Sequence, residues 1–279
     1  MFSGCTNLVS APDLPATTLA YGCYRSMFAG CTSLKHAPAL PATTLADSCY
    51  NSMFSGCTNL VSAPELPAIQ ATYSCYSSMF YGCSSLQNAP QLPATKMESY
   101  CYSEMFYNCI SLTSAPNLPA TELALGCYRS MFQGCTNLTQ ISELPATTLA
   151  QSCYQTMFKA CESLKRLPAL PATILMESCY NEMFSGCARI RLSTVSVDKY
   201  TVSYRIPSIE ETGTNAEDAV VDMFANTGGP FTGTPDLNTI YYLHDGSGYI
   251  LIVNGKPVTK INGKRVSSFT YKGTTYEVA

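Results

Sequence analysis

Cysteine is the residue type whose number in this chain first suggests chemistry. The 279 residues include fifteen cysteines and only two histidines. Thiols at this density serve as disulfide partners, metal ligands or buried side chains. The cysteines form two series in which neighbours are 26 residues apart: Cys5, Cys31, Cys57, Cys83, Cys109, Cys135, Cys161 and Cys187, and Cys23, Cys49, Cys75, Cys101, Cys127, Cys153 and Cys179.

Their spacing favours buried free thiols over disulfides or metal sites. Cys49 and Cys57 are eight residues apart, which is about 12 Å along a helix and exceeds the roughly 7 Å between α-carbons that a disulfide allows. Equivalent cysteines of neighbouring units could approach to about 5 Å, but their side chains would point the same way. No Cys-x-x-Cys occurs, so the pattern of a zinc site is missing. We expect neither disulfides nor a cofactor.

Catalytic groups are scarce. His36 lies in a variable part of the chain and His244 precedes Asp245 in a predicted turn, and neither has a nucleophile at a motif spacing. The Gly-x-Ser-x-Gly and phosphate-loop patterns are absent. We expect a protein that is not an enzyme. Seven further aromatic residues could stack on sugars or bases, but their fixed spacing favours packing between repeats: Tyr24, Tyr50, Tyr76, Tyr102, Tyr128, Tyr154 and Tyr180.

Both series belong to a sequence repeat that must position them. Aligning the Met-Phe pairs that begin at Met1, Met27, Met53 and so on to Met183 superimposes residues 1–187 at a period of 26 without a gap. Each unit reads roughly M-F-x-G-C-T-x-L-x-x-A-P-x-L-P-A-T-x-L-x-x-x-C-Y-x-x. One such unit is too small to enclose a core, whereas stacked copies bury a continuous one. The repeat therefore predicts a solenoid.

Within a unit the pattern predicts one helix and one strand. Thr43 is a predicted helix cap, and Leu45, Cys49 and Met53 recur at four-residue steps, which is typical of an amphipathic helix. Gly56 belongs to a glycine-rich series that predicts the left-handed helix end.

A short extended stretch over 60–66 follows this predicted helix. Pro64 lacks an N–H and should limit the strand to three or four residues. The predicted fold class is an α/β solenoid with a short strand and a helix in each repeat.

The motifs resemble a known repeat family. The Cys-Thr-x-Leu start, the Leu-Pro turn and the Phe-x-Gly-Cys end resemble the BspA-type leucine-rich repeats of bacterial surface proteins, in a 26-residue form, over residues 1 to about 187. The stretch Leu-x-x-Ala-Pro-x-Leu departs from the usual strand spacing of that family. The resemblance implies a right-handed α/β solenoid located extracellularly or at the cell surface. It also implies adhesion to, or recognition of, a host or matrix protein or glycan.

The repeat changes after its eighth start. Alternation of Tyr200, Val202, Tyr204 and Ile206 predicts a half-buried strand, and the next Met-Phe pair begins at Met223. Dipeptides typical of hairpin turns follow at 245–246, 254–255 and 262–263. Three parts are predicted: a repeat solenoid over 1–187, capping repeats with an insertion over 188–243, and a β-meander over 244–279. The lysines of the meander are typical of a solvated sheet edge, or they serve attachment to a larger assembly.

Charge and hydropathy narrow the partners. The net charge of −3 is too small to predict nucleic-acid or anionic-membrane binding. No run of about 18 apolar residues predicts membrane insertion, and the first residues do not resemble a signal peptide. Because Met1 falls at the end of a predicted helix with no cap before it, we expect missing repeats or a partner at that end.

The remaining candidates are strand positions that vary while the repeat is constant. Variation at fixed spacing on one sheet face is typical of a recognition surface, and also of unconstrained solvent positions. We predict a non-enzymatic recognition or adhesion protein; the alternative is a structural spacer or virion component attached through its C-terminal part. The predicted binding residues are Lys35, His36, Glu65, Gln87, Asn88, Gln91, Thr113, Asn117, Gln140, Glu143, Lys165 and Arg166.

Overall fold

The computed structural model describes residues 1–207, 216 and 218–244, and six short strands beyond them. Each 26-residue unit forms one coil, and successive coils stack through backbone hydrogen bonds and aligned aromatic rings. The solenoid that the repeat predicts is therefore observed. The right-handed winding stays a prediction.

The predicted helix is wrong: the described part of the chain contains no α-helix. In its place each coil has a turn segment, which in the second unit covers 46–57. Cys49 N donates to Ala46 O at 3.2 Å and closes a four-residue turn, whereas Ser48 N donates to Tyr73 O of the next coil at 2.8 Å. This alternation continues to Gly56. Half of these hydrogen bonds thus close turns and the other half join coils.

The turn segment repeats every four residues because every fourth residue adopts a left-handed backbone. Ser48 and Ser52 both have φ 55°, and Gly56 has φ 73°. The glycine-rich series therefore does hold the left-handed conformation that was predicted, but as the last of three such positions. Thr43 caps nothing, because no helix follows it.

The four-residue period also explains why a helix does not fit. At 3.6 residues per turn, each four-residue step rotates a helical position by about 40°, so the apolar series from Leu45 to Cys57 would drift by about 120°. In the four-residue turns the same series stays on one side. Each turn has two buried residues, such as Cys49 and Tyr50. The two residues that follow them, Asn51 and Ser52, are partly exposed.

Two parallel ladders complete each coil. The first ladder joins His36 to Ser62 and Ser62 to Asn88, and it continues with Ser114 paired to Gln140. The second ladder joins Thr18 to Thr44 and Glu122 to Thr148, and it includes strands β1 (Gln70–Ala71) and β2 (Lys96–Met97). Its elements, like those of the first, are one or two residues long, which is shorter than predicted. In the first ladder, a proline without an N–H follows two residues after His36, Ser62, Asn88 and Ser114, and Ser142 holds that position after Gln140.

Stacked side chains fill the interior. Phenylalanine rings of neighbouring coils are parallel, with Phe54 and Phe80 centroids 5.7 Å apart, and the tyrosine series forms a second column, with Tyr50 and Tyr76 centroids 5.8 Å apart. All four rings are at most 1% exposed. Burying each large apolar side chain contributes about 1.5–3 kcal/mol. Each coil lacks a core of its own, so this stabilisation depends on its neighbours.

The array continues past the eighth repeat start and ends on a small sheet. Phe184 N donates to Met223 O at 2.9 Å, and the ring of Phe224 stacks on that of Phe184 at 5.7 Å. Strands β3 (Leu192–Ser193), β4 (Tyr200–Ile206) and β5 (Thr239–His244) form an antiparallel sheet in the order β3-β5-β4. The strand predicted at 200–206 is confirmed. Of its alternating residues Tyr204 and Ile206 are buried, whereas Val202 is 52% exposed, next to a shift in register between Tyr200 and Val202.

The six remaining strands form three two-stranded antiparallel sheets. The dipeptides predicted to form hairpin turns at 245–246, 254–255 and 262–263 lie outside the described residues. The strands are β6 (Ile252–Val253) with β7 (Lys256–Pro257), β8 (Lys260–Ile261) with β9 (Lys264–Arg265), and β10 (Ser268–Tyr271) with β11 (Thr274–Glu277).

Candidate binding surface

The first ladder brings the predicted binding residues onto one exposed face. We call it the first-ladder face and define it by the variable positions that start at residues 35, 36 and 39 and recur every 26 residues. All twelve predicted residues on it are solvent-exposed: Lys35, His36, Glu65, Gln87, Asn88, Gln91, Thr113, Asn117, Gln140, Glu143, Lys165 and Arg166.

Neighbouring coils place their equivalent residues side by side on this face. His36 Nδ1 lies 3.1 Å from Ser62 Oγ, and Gln140 N donates to Thr113 O at 3.3 Å. The side chains beneath are invariant leucines such as Leu60 and Leu86, which are fully buried. The face therefore combines a rigid base with side chains that change from coil to coil.

One shallow depression lies on the face between the third and fourth coils. It has a volume of ≈ 240 Å³ and is lined by residues 61–65 and 88–91. It brings together Glu65, Asn88 and Gln91, three of the predicted binding residues. A carboxylate and two amides give this depression both hydrogen-bond donors and acceptors.

The C-terminal sheet packs against the far end of this face. Tyr204 on β4 donates a hydrogen bond from its hydroxyl to Pro168 O at 2.9 Å. Burial, together with the nearby Glu143 carboxylate, raises the pKa of Tyr204. Ala169 N donates to Glu143 Oε2 at 3.3 Å. Glu143 is thus already occupied by the scaffold, which leaves the coils before it more available for a ligand.

The cysteines occupy scaffold positions. All except Cys5 and Cys23 are buried, and every one of the fifteen is a free thiol. In the first series each Sγ from Cys31 to Cys187 donates to a phenylalanine carbonyl of the preceding coil, as Cys83 does to Phe54 O at 3.1 Å. Burial raises the pKa of the Cys57 thiol to about 12. Thiols held protonated in this way are poor nucleophiles and poor metal ligands.

The tyrosine series is scaffold as well. Tyr102 and Tyr128 are each 1% exposed and stack with ring centroids 5.9 Å apart. Burial raises the pKa of both phenols. From Tyr50 to Tyr180 every ring of this column is at most 2% exposed, so these ring faces are closed to a sugar or a base; Tyr24 in the first coil is partly exposed. Within the described residues, no group of three or more His, Cys, Asp or Glu side chains could hold a metal ion.

Two exposed features were missed by the sequence prediction. The second ladder is rich in exposed threonine, for example Thr18, Thr44 and Thr148; no role was predicted for these residues from the sequence. Exposed tyrosines also interrupt the outer positions of the turn segment, among them Tyr73 at 46% exposure. The sequence does contain a signal for both features, namely the residue types found at one position in successive units. This signal can be used once it is known which two residues of each four-residue turn point outward.

Comparison with known families matches the repeat array. The model of the BspA type leucine-rich repeat region finds six copies, over residues 1–121 and 100–205. No curated protein and no solved structure matches the chain. Among the described residues there is no helix long and apolar enough to cross a membrane. The matched residues cover most of the chain and confirm the resemblance seen in its motifs: the chain belongs to the BspA-type leucine-rich repeat family.

Proposed function

We propose that this chain is a non-enzymatic recognition and adhesion protein of a bacterial surface, which binds a protein or glycan through the first-ladder face. The family supports this assignment, because its members are generally surface-associated proteins that bind proteins or adhere and are generally not enzymes. The observation that carries the proposal is the exposure of all twelve predicted side chains on an otherwise constant array.

The physical basis is repeated weak binding on a rigid support. Polar side chains at the surface each contribute little, but equivalent positions on adjacent coils are spaced by about 4.8 Å. An extended ligand can contact several coils at once, so that modest contributions combine. The stacked core keeps the side chains in register, and the entropy lost on binding is correspondingly small.

The depression lined by Glu65, Asn88 and Gln91 is the part of the face to test first. The chain is applied to a panel of immobilised extracellular-matrix proteins and to a glycan array. The triple variant Gln87→Ala/Asn88→Ala/Gln91→Ala is compared with the control Gln151→Ala/Glu177→Ala, whose exposed positions lie on the turn segment. We expect a loss of at least about tenfold in affinity for the triple variant and less than about twofold for the control.

Two results would contradict the proposal. The first is the absence of binding to both panels, which is the outcome expected for a structural spacer. The second is an equal loss in the triple variant and the control, which would place the ligand elsewhere on the solenoid.

A further inference from the structure

Four tyrosines lie on the outside of the turn segment in the third and fourth coils. Tyr81 and Tyr107 stack on each other with ring centroids 4.6 Å apart and planes within 3°. Tyr73 and Tyr100 meet edge to face at 6.3 Å and 88°. Tyr73 is exposed, and the other three are partly exposed. None of them belongs to the buried tyrosine column, so they are available to a ligand.

The fold does not require aromatic residues at these positions. In the other coils the position of Tyr81 and Tyr107 holds small or polar residues, and the position of Tyr100 holds glycine or serine. The scaffold is built in the same way with or without the rings. The equivalents of Tyr81 are Ala29, Ser55, Gln133, Lys159 and Ser185, and those of Tyr100 are Gly22, Ser48, Ser74, Gly126, Ser152 and Ser178.

Tyr100 also adopts an unfavourable backbone. Its φ is 58°, a left-handed conformation that is uncommon for a bulky residue. Its ring lies over Gly126 of the next coil, where a Cβ would come within 2.5 Å of the Tyr100 ring. The chain thus holds a strained aromatic residue and leaves room for it. Strain of this kind concentrates at functional sites.

Polar groups flank the rings in the same coil. Glu104 and Asn108 occupy the next two left-handed positions, with φ 57° and 55°. Ser78 donates to Glu104 Oε2 at 3.3 Å, which fixes one carboxylate oxygen and leaves the other to accept. The Asn108 amide lies over Gly134, where a Cβ would come within 2.0 Å of Asn108 Oδ1. Planar hydrogen-bonding groups therefore stand beside aromatic rings.

Charges around the rings are balanced. The two acidic residues Glu98 and Glu104 are matched in number by two basic residues, Lys96 and Arg129. Lys96 lies two residues before Glu98, and Arg129 lies in the next coil, where its carbonyl accepts a hydrogen bond from Glu104 N at 2.8 Å. Tyr73 N donates to Glu98 Oε2 at 3.0 Å, so this carboxylate is already partly engaged. The surface offers little net attraction to a charged peptide, and its chemistry fits a neutral, hydroxyl-rich ligand.

We propose that this tyrosine patch, formed by Tyr73, Tyr81, Tyr100, Tyr107, Glu104 and Asn108, binds a neutral saccharide. The C–H face of a pyranose ring carries partial positive charge and packs against the negative face of an aromatic ring. Glu104 and Asn108 accept and donate hydrogen bonds to sugar hydroxyls. Tyrosine supplies a large contact area at low entropic cost. This site is separate from the first-ladder face and does not depend on the function proposed for it.

Glycan-array binding with the full chain tests the patch, and neutral oligosaccharides that bind are then titrated by calorimetry. The key variant is Tyr100→Gly, which removes the ring and also relieves the backbone strain, so that a loss of binding does not reflect unfolding. A second variant, Gly126→Ala, pushes the Tyr100 ring out of its position without changing residue 100. The matched control is Tyr21→Ala, because Tyr21 occupies the position of Tyr73 in the first coil and is 72% exposed.

We expect Tyr100→Gly and Tyr81→Ala/Tyr107→Ala to weaken saccharide binding at least about tenfold, and Tyr21→Ala less than about twofold. The first-ladder triple variant should retain saccharide binding, which separates the two sites. The proposal is overturned if no neutral saccharide binds, if Tyr21→Ala is as damaging as Tyr100→Gly, or if the patch variants affect only binding to an oligolysine peptide run in parallel.

Discussion

Replacing Ser74 with glycine should give a more stable protein than replacing it with alanine. Ser74 has φ 50°, and a residue with a Cβ is disfavoured in this conformation by roughly 1–2 kcal/mol. Glycine removes this cost, but it also gives the unfolded chain more freedom, worth about 0.4–1 kcal/mol. The difference favours the glycine variant by about 1 kcal/mol.

A helix would reverse the order. In a helix interior, glycine is about 1 kcal/mol less favourable than alanine. The stability difference between the glycine and alanine variants that is expected for the turn segment therefore differs by about 2 kcal/mol from the one expected for a helix. Ser77 provides the control, because it lies in the same turn segment, is also partly exposed and is not among the residues with positive φ. There the alanine variant should be the more stable of the pair.

Urea unfolding followed by circular dichroism measures all four variants. Differences in the free energy of unfolding are taken from the midpoints at a common slope. The expected result is opposite signs at the two positions. If glycine is less stable than alanine at both Ser74 and Ser77, the left-handed turn segment is wrong and the helical interpretation returns.

Three further outcomes follow from the same geometry. Gly134→Ala should destabilise the protein by about 1 kcal/mol more than Gly82→Ala, because a Cβ at Gly134 meets Asn108 Oδ1 whereas one at Gly82 meets nothing within 4 Å; equal unfolding midpoints would contradict this. A thiol reagent at neutral pH should label Cys5 and Cys23 rapidly and the buried cysteines only after unfolding; rapid labelling of all fifteen would refute the burial. Several buried thiols have their pKa raised from 9.0 to about 12. Because the thiols of the unfolded chain ionise first, the contribution of these groups to the free energy of unfolding is complete below pH 9 and is lost as the pH rises towards 12. Urea midpoints that do not fall between pH 8 and 10.5 in reducing buffer would contradict this.

The core could be predicted from the sequence because identical residues recur at one period. Cys49, Met53 and Tyr50 are assigned to the interior by repetition, and all three are buried. Repetition says which residues share an environment, whatever local backbone they adopt. This is why the solenoid and the scaffold role of the tyrosine series followed from the sequence.

The local backbone of the turn segment was harder to predict. Steps of four residues from Leu45 to Cys57 fit a short amphipathic helix almost as well as a series of four-residue turns. The decisive feature is the serine or glycine at every fourth position, such as Ser48, Ser52 and Gly56, which a helix does not need. Glu104 and Tyr100 hide that pattern in the fourth coil, since neither residue is typical of a left-handed conformation.

The binding surfaces could be predicted from the sequence only in part. The exposure of the first-ladder face was predicted from the variability of its positions, such as those of Gln87 and Gln91. The tyrosine patch was not predicted, because Tyr73 and Tyr107 become neighbours of Tyr100 and Tyr81 only when coils stack with their outward positions aligned. That alignment depends on the four-residue turns.

The direction of the hydrogen bonds between turn segments gives the array an electrical polarity. From Ser48 to Gly56, five backbone N–H groups donate to carbonyls of the following coil. All of these N–H groups therefore point towards the C-terminal end, and their dipoles add as they do in a helix. Partial positive charge therefore accumulates at the last coil, at the C-terminal end of the array, whereas in a helix it lies at the N-terminus. Asp218 and Asp222 occupy left-handed positions there, so two acidic residues lie at this end of the array.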